Sequence, residues 1–497
     1  MTDPAVATTT APTATVPNSA PDAAGTRLVI SLLLVSAFVV ILNETIMGVA
    51  LPHLMADLSI TATAAQWLTT AFMLTMAVVI PITGFLLQRF NTRPVFLAAM
   101  SLFSLGTLIA AIAPGFEVLI VGRVVQAMGT AIMMPLLMTT VMTLVAPAAR
   151  GKTMGNISIV ISVAPAIGPT ISGLILSVLD WRWMFILVLP IALGSLALGA
   201  ARIKNVTEPI AVPLDVVSVI LSAFGFGGLV YGLSNLGESA TGNAAAGLVP
   251  LGIGAVAIAL FVWRQLALQR RDRALLDLRT FVSRTFSLSI VMLVVSMMAL
   301  FGTLILLPIY MQNVLGLDAL TTGLLLLPGG LTMGLLAPFV GRFYDRFGPT
   351  VLLVPGAIIV SGAFWFMTML TASTPFWWVL VAHVALSFGL AFLFTPLFTS
   401  ALASLRPKLY SHGSAVVGTA QQLAGAAGTA LFITVMSSTA ATQMAAGAGE
   451  VAATATGIQA AFLYGAIISL FAIPLAFFIR KPAVSVTDGH DAPLMAH

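Results

Sequence analysis

The chain is a succession of long apolar segments separated by short polar ones. A membrane-spanning helix needs about 20 predominantly apolar residues, because each residue advances the helix by only about 1.5 Å. Fourteen segments meet this requirement, and they lie at approximately 28–51, 65–88, 94–113, 118–145, 152–179, 183–201, 213–236, 244–265, 285–310, 320–341, 349–370, 376–402, 412–440 and 457–479. The pattern predicts an all-α membrane protein with fourteen transmembrane helices.

The composition supports this prediction. Of the 497 residues, 59% are hydrophobic and only 7% are charged, whereas soluble domains carry roughly 25% charged residues. There is too little polar surface to cover a soluble fold, so lipid must be the solvent. Cysteine is absent, which excludes disulfides and thiolate chemistry. Because metalloprotease, nucleophile-elbow and phosphate-loop motifs are also missing, we expect neither an enzyme nor a bound cofactor or metal.

The basic residues lie between alternate pairs of apolar segments. If the N-terminus is cytoplasmic, every Lys and Arg except Arg123 and Arg182 falls in a cytoplasmic segment. Lys and Arg concentrate in cytoplasmic loops, so the pattern predicts an even number of spans in the cell membrane (inner or plasma membrane), with both termini cytoplasmic. It also favours the lipid bilayer over nucleic acid as a partner. The opposite loops carry Asp57, Glu117, Asp180, Glu238, Asp318 and Glu450.

The two halves of the chain repeat each other. Pro81, Gly84, Arg89 and Phe90 recur with the same spacing as Pro338, Gly341, Arg346 and Phe347, and Leu51-Pro52 recurs as Leu307-Pro308. The repeat predicts two parallel, pseudo-symmetric six-helix bundles around two extra helices, a 6+2+6 arrangement. The predicted units are a disordered cytoplasmic tail (1–26), the first bundle (27–203), the extra helices with a basic linker (204–283), the second bundle (284–481) and a cytoplasmic tail (482–497).

Several short motifs occur in a fixed order along the spans. They are Leu-Asn-Glu-Thr at 42–45, Val-Ala-Leu-Pro at 49–52, the loops 84–93 and 341–348, Arg123 with Gln126 and Gly129, Gly168-Pro169, Trp181-Arg182-Trp183 and Leu276-Asp277-Leu278-Arg279. In this order the sequence resembles the fourteen-helix drug:proton antiporters of the major facilitator superfamily, the EmrB/QacA type of multidrug efflux transporter. The resemblance covers nearly the whole chain. It implies the major facilitator fold, with two bundles that rock around a central cavity.

The sequence departs from the family motifs at informative positions. Asn43 stands where the family usually has Asp in the first span, and the carboxylate is displaced by one residue to Glu44. In the loop after the second span, Gln88 stands where Asp is usual, whereas Asp345 is retained in the second half. We therefore expect the charged latch on the cytoplasmic side to be weaker in the first half than in the second.

Glu44 and Arg123 are the candidates for proton coupling. An ionisable side chain near mid-membrane costs roughly 2.5–3.5 kcal/mol on insertion scales, so Glu44 should face a cavity. Desolvation favours the neutral form of such an acid, and proton exchange requires a carboxyl that changes form as the cavity opens to either side. Arg123 is its obvious long-range partner. The alternatives are a hydrogen-bonded structural acid and an arginine that reaches for the outer interface.

Further polar and glycine residues complete the predicted site. His383 could relay protons, although a structural histidine is the favoured interpretation, and Gly168-Pro169 is as consistent with a structural kink as with coupling. The predicted substrate-cavity residues are Asn43, Gln126, Tyr310, Gln312, His383, Gln421 and Gln422. The predicted gating residues are Gly84, Gln88, Arg89, Arg93, Gly168, Pro169, Gly341, Asp345 and Arg346.

The sequence thus predicts a monomeric, proton-coupled antiporter that exports small lipophilic substrates. A single membrane acid would neutralise a dication poorly, so neutral or monocationic compounds are favoured. The main alternative is a proton-coupled exporter of a defined metabolite, such as an amino acid, a lipid or a siderophore. A facilitator without proton coupling and a membrane enzyme are the more distant alternatives.

Overall fold

The computed structural model describes residues 23–205, 209, 213–236 and 244–481. The predicted tail at 482–497, most of the predicted tail at 1–26 and the loop residue Glu238 lie outside these ranges.

Fourteen long helices account for most of the described residues, and all are long and apolar enough to cross a membrane. They are α1 (Ala23–Asp57), α2 (Ala62–Arg89), α3 (Thr92–Ala111), α4 (Phe116–Leu144), α5 (Arg150–Leu176), α6 (Trp183–Arg202), α7 (Val216–Leu236), α8 (Ala244–Leu268), α9 (Arg284–Ile309), α10 (Ala319–Phe347), α11 (Thr350–Met367), α12 (Phe376–Ala403), α13 (Tyr410–Ala445) and α14 (Glu450–Phe478). The fourteen predicted spans are confirmed. Most helices extend past the predicted spans, because the helix continues into polar residues that an apolar count leaves out.

Polar side chains cap several of these helices. Thr61 accepts a hydrogen bond from a backbone N–H in the first turn of α2, and Ser283 does the same for α9. Asp318 accepts from the backbone N–H of Thr321 at 2.8 Å at the start of α10. This bond and a second one from the Thr321 hydroxyl hold the pKa of Asp318 below its ordinary value.

The helices pack as two bundles with matching contacts. Each helix contact in the first bundle has a counterpart in the second, between the helices whose numbers are higher by eight. α1 packs on α5, and α9 packs on α13; α2 packs on α4, and α10 packs on α12; α3 packs on α6, and α11 packs on α14. The two bundles meet at two interfaces, which we call seams: α5 packs on α10, and α13 packs on α2. The two seams are equivalent under the repeat, because α5 corresponds to α13 and α2 corresponds to α10. This is the contact pattern of two parallel repeats related by an axis along the membrane normal.

Small residues allow the closest helix pairs to approach. A Cβ atom on Gly106 of α3 would lie 2.3 Å from the backbone nitrogen of Gln126 in α4, and one on Gly129 would lie 2.3 Å from the carbonyl oxygen of Ala99. Side chains larger than hydrogen would push α3 and α4 apart. Such glycine contacts are the usual means of close packing between membrane helices.

The two extra helices flank one seam only. α7 packs on α2 and α13, and α8 packs on α7. Their ends on the side of the basic loops are joined by an ion pair in which Arg264 donates two hydrogen bonds to Asp215, at 2.6 and 2.7 Å. The Arg264 guanidinium holds the pKa of Asp215 at about 2, below its ordinary 3.8.

The basic linker between α8 and α9 is held against the second bundle. Arg279 donates hydrogen bonds to Asp277 and to Asp272, and these acceptors raise the pKa of the Arg279 guanidinium. Asp272 also forms an ion pair at 3.6 Å with Lys408, which precedes α13. The linker is thus connected through charges to the loop that starts α13.

Arg182, the one basic residue in a loop on the opposite face, is locally neutralised. It forms an ion pair at 3.5 Å with Asp57 at the end of α1 and donates to the carbonyl oxygen of Ala113 at 3.1 Å. The indole N–H of the neighbouring Trp181 donates to the same carboxylate at 2.7 Å. These bonds connect the ends of α1 and α3 to the start of α6.

Candidate functional site

A cavity of about 270 Å³ lies between the two bundles, near the lower end of the volumes of sites for drug-sized ligands. Its walls come from α1, α2, α4, α5, α9, α10, α12 and α13, and most of the lining is apolar. The polar lining residues are Glu44, Thr45, Thr130, Ser162, His383, Ser387, Gln421 and Gln422. Four helices of each bundle therefore enclose a space that suits a lipophilic molecule with few polar groups.

Glu44 projects into this cavity from α1. Among the described residues its carboxyl has no hydrogen bond and no ion pair. Every other polar residue on α1 in this region has a partner: the hydroxyl of Thr45 donates to the carbonyl oxygen of Leu42 at 2.9 Å, and Asn43 accepts a hydrogen bond from Arg123. An acid without a partner on the wall of a cavity is free to exchange its proton with the contents of that cavity.

Arg123 is held beside the cavity by neutral amides. Its Nη1 donates to Oε1 of Gln126 at 2.6 Å and to Oδ1 of Asn43 at 3.2 Å. The guanidinium also lies over the ring of Phe72, with 4.1 Å between Cζ and the ring centroid. Gln126 in turn donates to Thr107 of α3 at 2.8 Å. The arginine is buried and fixed in position by residues of α1, α2 and α4.

Arg123 and Glu44 do not form an ion pair in the described structure. The two charges still interact across the α1–α4 interface. The displacement of the acid by one position explains the arrangement: Asn43, at the position where the family has Asp, occupies the place beside Arg123, and Glu44 lies about 100° further around α1. The acid therefore faces the cavity, while its neutral neighbour holds the arginine.

Four of the seven predicted cavity residues lie elsewhere. Asn43 and Gln126 are fully buried and hold Arg123, so they do not reach the cavity lining among the described residues. Tyr310 is buried beyond the end of α9, where its hydroxyl donates to the carbonyl oxygen of Thr371 at 2.6 Å. Gln312 follows in a single π-helical turn and is exposed. The wider turn rotates this segment relative to the α9 face that lines the cavity.

The other three predicted cavity residues do line it. Gln421 and Gln422 come from α13, and both residues are partly exposed. His383 comes from α12 and is 5% exposed. Together they place the polar groups of the second bundle in the same cavity as Glu44 of the first.

Two hydrogen bonds seal the cavity on the side of the basic loops, which we call the basic face. Thr139 of α4 donates to Ser414 of α13 at 3.0 Å, and Thr395 of α12 donates to Ser158 of α5 at 2.8 Å. In every one of these helices the bonded residue lies nearer the basic end than the residues that line the cavity. The structure is therefore closed on its basic face.

Asp345 forms a latch beyond this seal. Its two carboxylate oxygens accept hydrogen bonds from the backbone N–H groups of Gly151 and Lys152, each at 2.8 Å. These donors belong to the first turn of α5, where the helix dipole favours a negative charge. At the equivalent position in the first half, Gln88 donates one hydrogen bond to the carbonyl oxygen of Lys408 at 3.2 Å. The stronger of the two latches is the one that keeps its aspartate.

The glycines of the two latch loops differ in how closely they pack. A Cβ atom on Gly341 would lie 2.3 Å from the carbonyl oxygen of Gly151, so α10 and α5 touch through their backbones. Gly84 is less restricted, since its Cβ atom would lie 3.1 Å from Nδ1 of His412. The contact between α5 and α10 is therefore the closer one.

The remaining predicted gating residues lie at other contacts. Gly168 packs against Thr45 of α1, where a Cβ atom would lie 2.3 Å from its hydroxyl oxygen. Pro169 follows in α5, but its side chain lies outside the described part. Arg93 donates to the carbonyl oxygen of Ala200 at the end of α6, at 2.7 Å. The guanidinium of Arg346 lies over the ring of Phe347 at 5.0 Å, and Arg89 is exposed on the basic face.

The two sealing pairs were not anticipated from the sequence. Thr139 and Thr395 are 256 positions apart, and so are Ser158 and Ser414. This is the offset that relates Leu51-Pro52 to Leu307-Pro308. A search for small hydroxyl residues that recur at that offset would have found these four residues. Each sealing bond joins one of the two threonines to one of the two serines.

Fourteen spanning helices, eight of which enclose a cavity that is closed on one face, define a multi-pass membrane transporter. The chain belongs to the Major Facilitator Superfamily, whose model matches residues 33–429. It is 42% identical over 458 residues to the lincomycin resistance protein LmrB of Listeria monocytogenes, covering 91% of this chain and 96% of the relative. It is 38% identical over 472 residues to LmrB of Bacillus subtilis, with coverage of 92% and 96%.

A solved structure shares the fold at low sequence identity. The human organic anion transporter MFSD10 superposes with a TM-score of 0.65 at 15% identity, over 91% of this chain and 99% of that one. This likeness confirms the predicted fold class, and the superfamily membership confirms the resemblance found in the sequence.

Proposed function

We propose that the chain is a proton-coupled exporter of lipophilic neutral or monocationic molecules. The observation that carries the proposal is the position of Glu44, an acid that has no partner within the described ranges and lies in the wall of an apolar cavity between two bundles. The names of the relatives, lincomycin resistance proteins, support antibiotics of this kind as cargo. A mostly apolar wall and one carboxyl suit molecules that carry at most one positive charge.

The proposed cycle alternates between two closed faces. In the conformation described here the seal and the Asp345 latch close the basic face. The proposal takes this face to be the cytoplasmic one, because Lys and Arg concentrate in cytoplasmic loops. Glu44 then takes a proton from outside and cargo leaves. The bundles rock apart at the basic face, and Glu44 releases its proton into the cytoplasm before new cargo enters. The cargo and the proton thus use the same cavity in turn.

Arg123 supplies a fixed positive charge in this cycle. Its partners Asn43 and Gln126 are neutral, so its charge is not cancelled by an ion pair within the described residues. The field of that charge reaches Glu44 across the α1–α4 interface, and it favours release of the proton once the cavity opens to the cytoplasm. Each proton that enters contributes roughly 2.3 kcal/mol per 100 mV of membrane potential.

Transport in inside-out vesicles with an imposed pH gradient tests this proposal. Glu44→Gln keeps the shape of the side chain and removes the proton site. We expect it to abolish proton-driven accumulation of lincomycin and to retain downhill exchange. Glu117→Gln, on an exposed acid at the start of α4, is the matched control and should behave like the wild type. Unchanged uphill transport by Glu44→Gln would reject proton coupling at this residue.

The same vesicles separate a drug exporter from an exporter of one metabolite. A cavity selected for general lipophilic character should bind chemically unrelated drugs competitively, because apolar contacts discriminate weakly. Inhibition of lincomycin transport by several unrelated lipophiles is therefore expected. Inhibition by a single class of amino acid, lipid or siderophore would favour the metabolite exporter.

A further inference from the structure

Three arginines of the basic linker have no acceptor in the part of the chain that the structure describes. They follow α8 directly, they are exposed, and they are Arg270, Arg271 and Arg273. Asp272 lies between them, but its carboxylate binds Arg279 and Lys408 instead. Arg264 and Arg279, on either side of this segment, each have an aspartate partner. The segment 269–273, which we call the arginine turn, therefore carries three guanidinium groups that the described residues leave unpaired.

The backbone of the arginine turn is held in one shape. The backbone N–H of Arg273 donates to the carbonyl oxygen of Leu268 at 3.2 Å, and Asp272 adopts a left-handed conformation with a φ of 51°. The chain that follows is anchored to α8, because the side-chain oxygen of Gln265 accepts a hydrogen bond from the backbone N–H of Leu275 at 2.8 Å. An ordered backbone lowers the entropy cost of binding a ligand through its side chains.

An exposed apolar stripe of α8 leads to the arginine turn. Trp263 and Leu266 lie three residues apart on one face of the helix, and Arg270 follows four residues later on the same face. Trp263 is 71% exposed and Leu266 is 46% exposed. On the opposite face, the buried Phe261 packs on Phe226 of α7, with 5.9 Å between the ring centroids. The stripe is therefore the part of α8 that meets lipid, and it ends at the arginine turn.

The length of this span places the turn among the lipid headgroups. The span runs over Ala245–Arg271, which is 27 residues, or about 40 Å at 1.5 Å per residue. A bilayer is about 30 Å thick without its headgroups and about 40–45 Å thick with them. A span of this length extends beyond the hydrocarbon core, so its basic end lies at the level of the lipid phosphates.

We propose that the arginine turn binds the headgroup of an anionic phospholipid, such as phosphatidylglycerol, whose acyl chains lie against the exposed stripe of α8. Guanidinium groups match the geometry of phosphate oxygens, with which they form paired N–H···O bonds. A zwitterionic headgroup carries an ammonium charge of its own, which the arginines repel. An anionic headgroup has no such charge, so it is the one that this turn selects. The inference does not depend on the cargo or on the proton site.

The charge of the turn sets the size of the expected preference. Each arginine close to an anionic lipid surface contributes about fivefold to binding, so three would give roughly 100-fold. The side chains are exposed to water and salt, which screen part of this attraction. We therefore expect the stripe to prefer phosphatidylglycerol over phosphatidylcholine by about tenfold.

A label on α8 can report which lipid occupies the stripe. The chain has no cysteine, so Ala259→Cys, an exposed position one turn before Trp263 on the same face, carries a single fluorophore. The full-length protein is placed in nanodiscs that contain phosphatidylglycerol and phosphatidylcholine in known ratios, with one of the two lipids brominated on its acyl chains. Brominated phosphatidylglycerol should quench the label as though it were enriched about tenfold over its share of the lipid.

Two triple variants separate the arginine turn from the general charge of the basic face. The first removes the turn's charges and should be quenched in proportion to the bulk lipid; it combines Arg270→Gln, Arg271→Gln and Arg273→Gln. The matched control removes three exposed charges at the basic ends of α6 and α14 and should keep the enrichment; it combines Arg202→Gln, Lys204→Gln and Arg480→Gln. Midpoints of thermal unfolding in phosphatidylcholine alone should agree among all three proteins, because the substituted side chains are exposed.

The inference is supported by one pattern, in which enrichment is lost in the first triple variant and kept in the control. It is overturned if the wild type shows no enrichment, if the first variant keeps it, or if both variants lose it equally, since the last result reflects net charge and not a site. Should the first variant have a lowered midpoint, the three single substitutions replace it. Each should then lose part of the enrichment, and no loss in any of them overturns the inference. All of these results leave the proposed function untouched, because Glu44 and the cavity are not involved.

Discussion

The Asp345 latch makes a quantitative prediction about the closed basic face. Each of its two hydrogen bonds to the start of α5 is 2.8 Å long and involves a charged acceptor. Such bonds contribute about 1.5–3 kcal/mol each, and the lower value applies here because the carboxyl is half exposed. Asp345→Asn keeps one acceptor oxygen and loses the charge, so the closed state should lose about 1.5 kcal/mol. The ratio of open to closed protein then rises about tenfold. Asp345→Ala removes both bonds and should raise it by roughly 150-fold.

The weaker latch provides the matched control. Gln88 makes one neutral hydrogen bond, worth about 0.5–1.5 kcal/mol, so Gln88→Ala should shift the ratio by only a few-fold. Because the chain has no cysteine, labels can be attached at introduced cysteines, for example Ala148→Cys and Arg406→Cys on the basic face. Distances between spin labels at these two sites report the open fraction. An unchanged distance distribution in Asp345→Asn, or a larger shift from Gln88→Ala, would refute this reasoning.

Three further perturbations have defined outcomes. Gly106→Ala should lower the midpoint of thermal unfolding by several degrees, because the new Cβ atom would lie 2.3 Å from a backbone nitrogen of α4. The control is Gly173→Ala, whose Cβ atom would meet nothing within 4 Å. It should be neutral or slightly stabilising in the same thermal scan. Arg123→Lys should reduce uphill transport at least tenfold at equal expression, because an ammonium on a shorter side chain cannot reproduce the planar contacts of the guanidinium; normal vesicle uptake would contradict this. Asp215→Asn should lower the midpoint at pH 7 by about 2 °C. Since the folded-state pKa of Asp215 is about 2 against an ordinary 3.8, its ion pair stabilises the fold above about pH 4 and is lost as the pH falls toward 2. The difference from wild type should shrink over that range, and a constant difference would exclude the ion pair as its cause.

The parts of the fold that depend on the membrane could be predicted from sequence. A helix that crosses the lipid needs about 20 apolar residues, and only fourteen segments of the chain meet this requirement. The number and the approximate positions of the helices follow from it. The same cost predicted that Glu44 would face a cavity, since an acid in contact with lipid is expensive. The asymmetry of the latches could also be predicted, because Gln88 and Asp345 occupy equivalent positions of a repeat and differ in charge.

The orientation of individual polar side chains could not be predicted in the same way. Asn43 and Glu44 are adjacent in sequence but point in different directions, and only the packing of α1 on α4 and α5 decides which of them faces the cavity. Tyr310 lies beyond a helix end where a π-helical turn changes the angular position of the following residues. Hydrophobic periodicity carries little information here, because helices that are apolar on all sides have no face marked by polarity.

The position of α7 gives the two sides of the molecule different surroundings. One seam between the bundles, where α2 meets α13, is covered by an additional layer of protein, and the other, where α5 meets α10, has no such cover among the described helices. A hydrophobic molecule dissolved in the bilayer therefore meets a double wall on the first side and a single helix pair on the second. In a molecule built from two similar halves, this one additional helix makes the two lipid-facing flanks unequal.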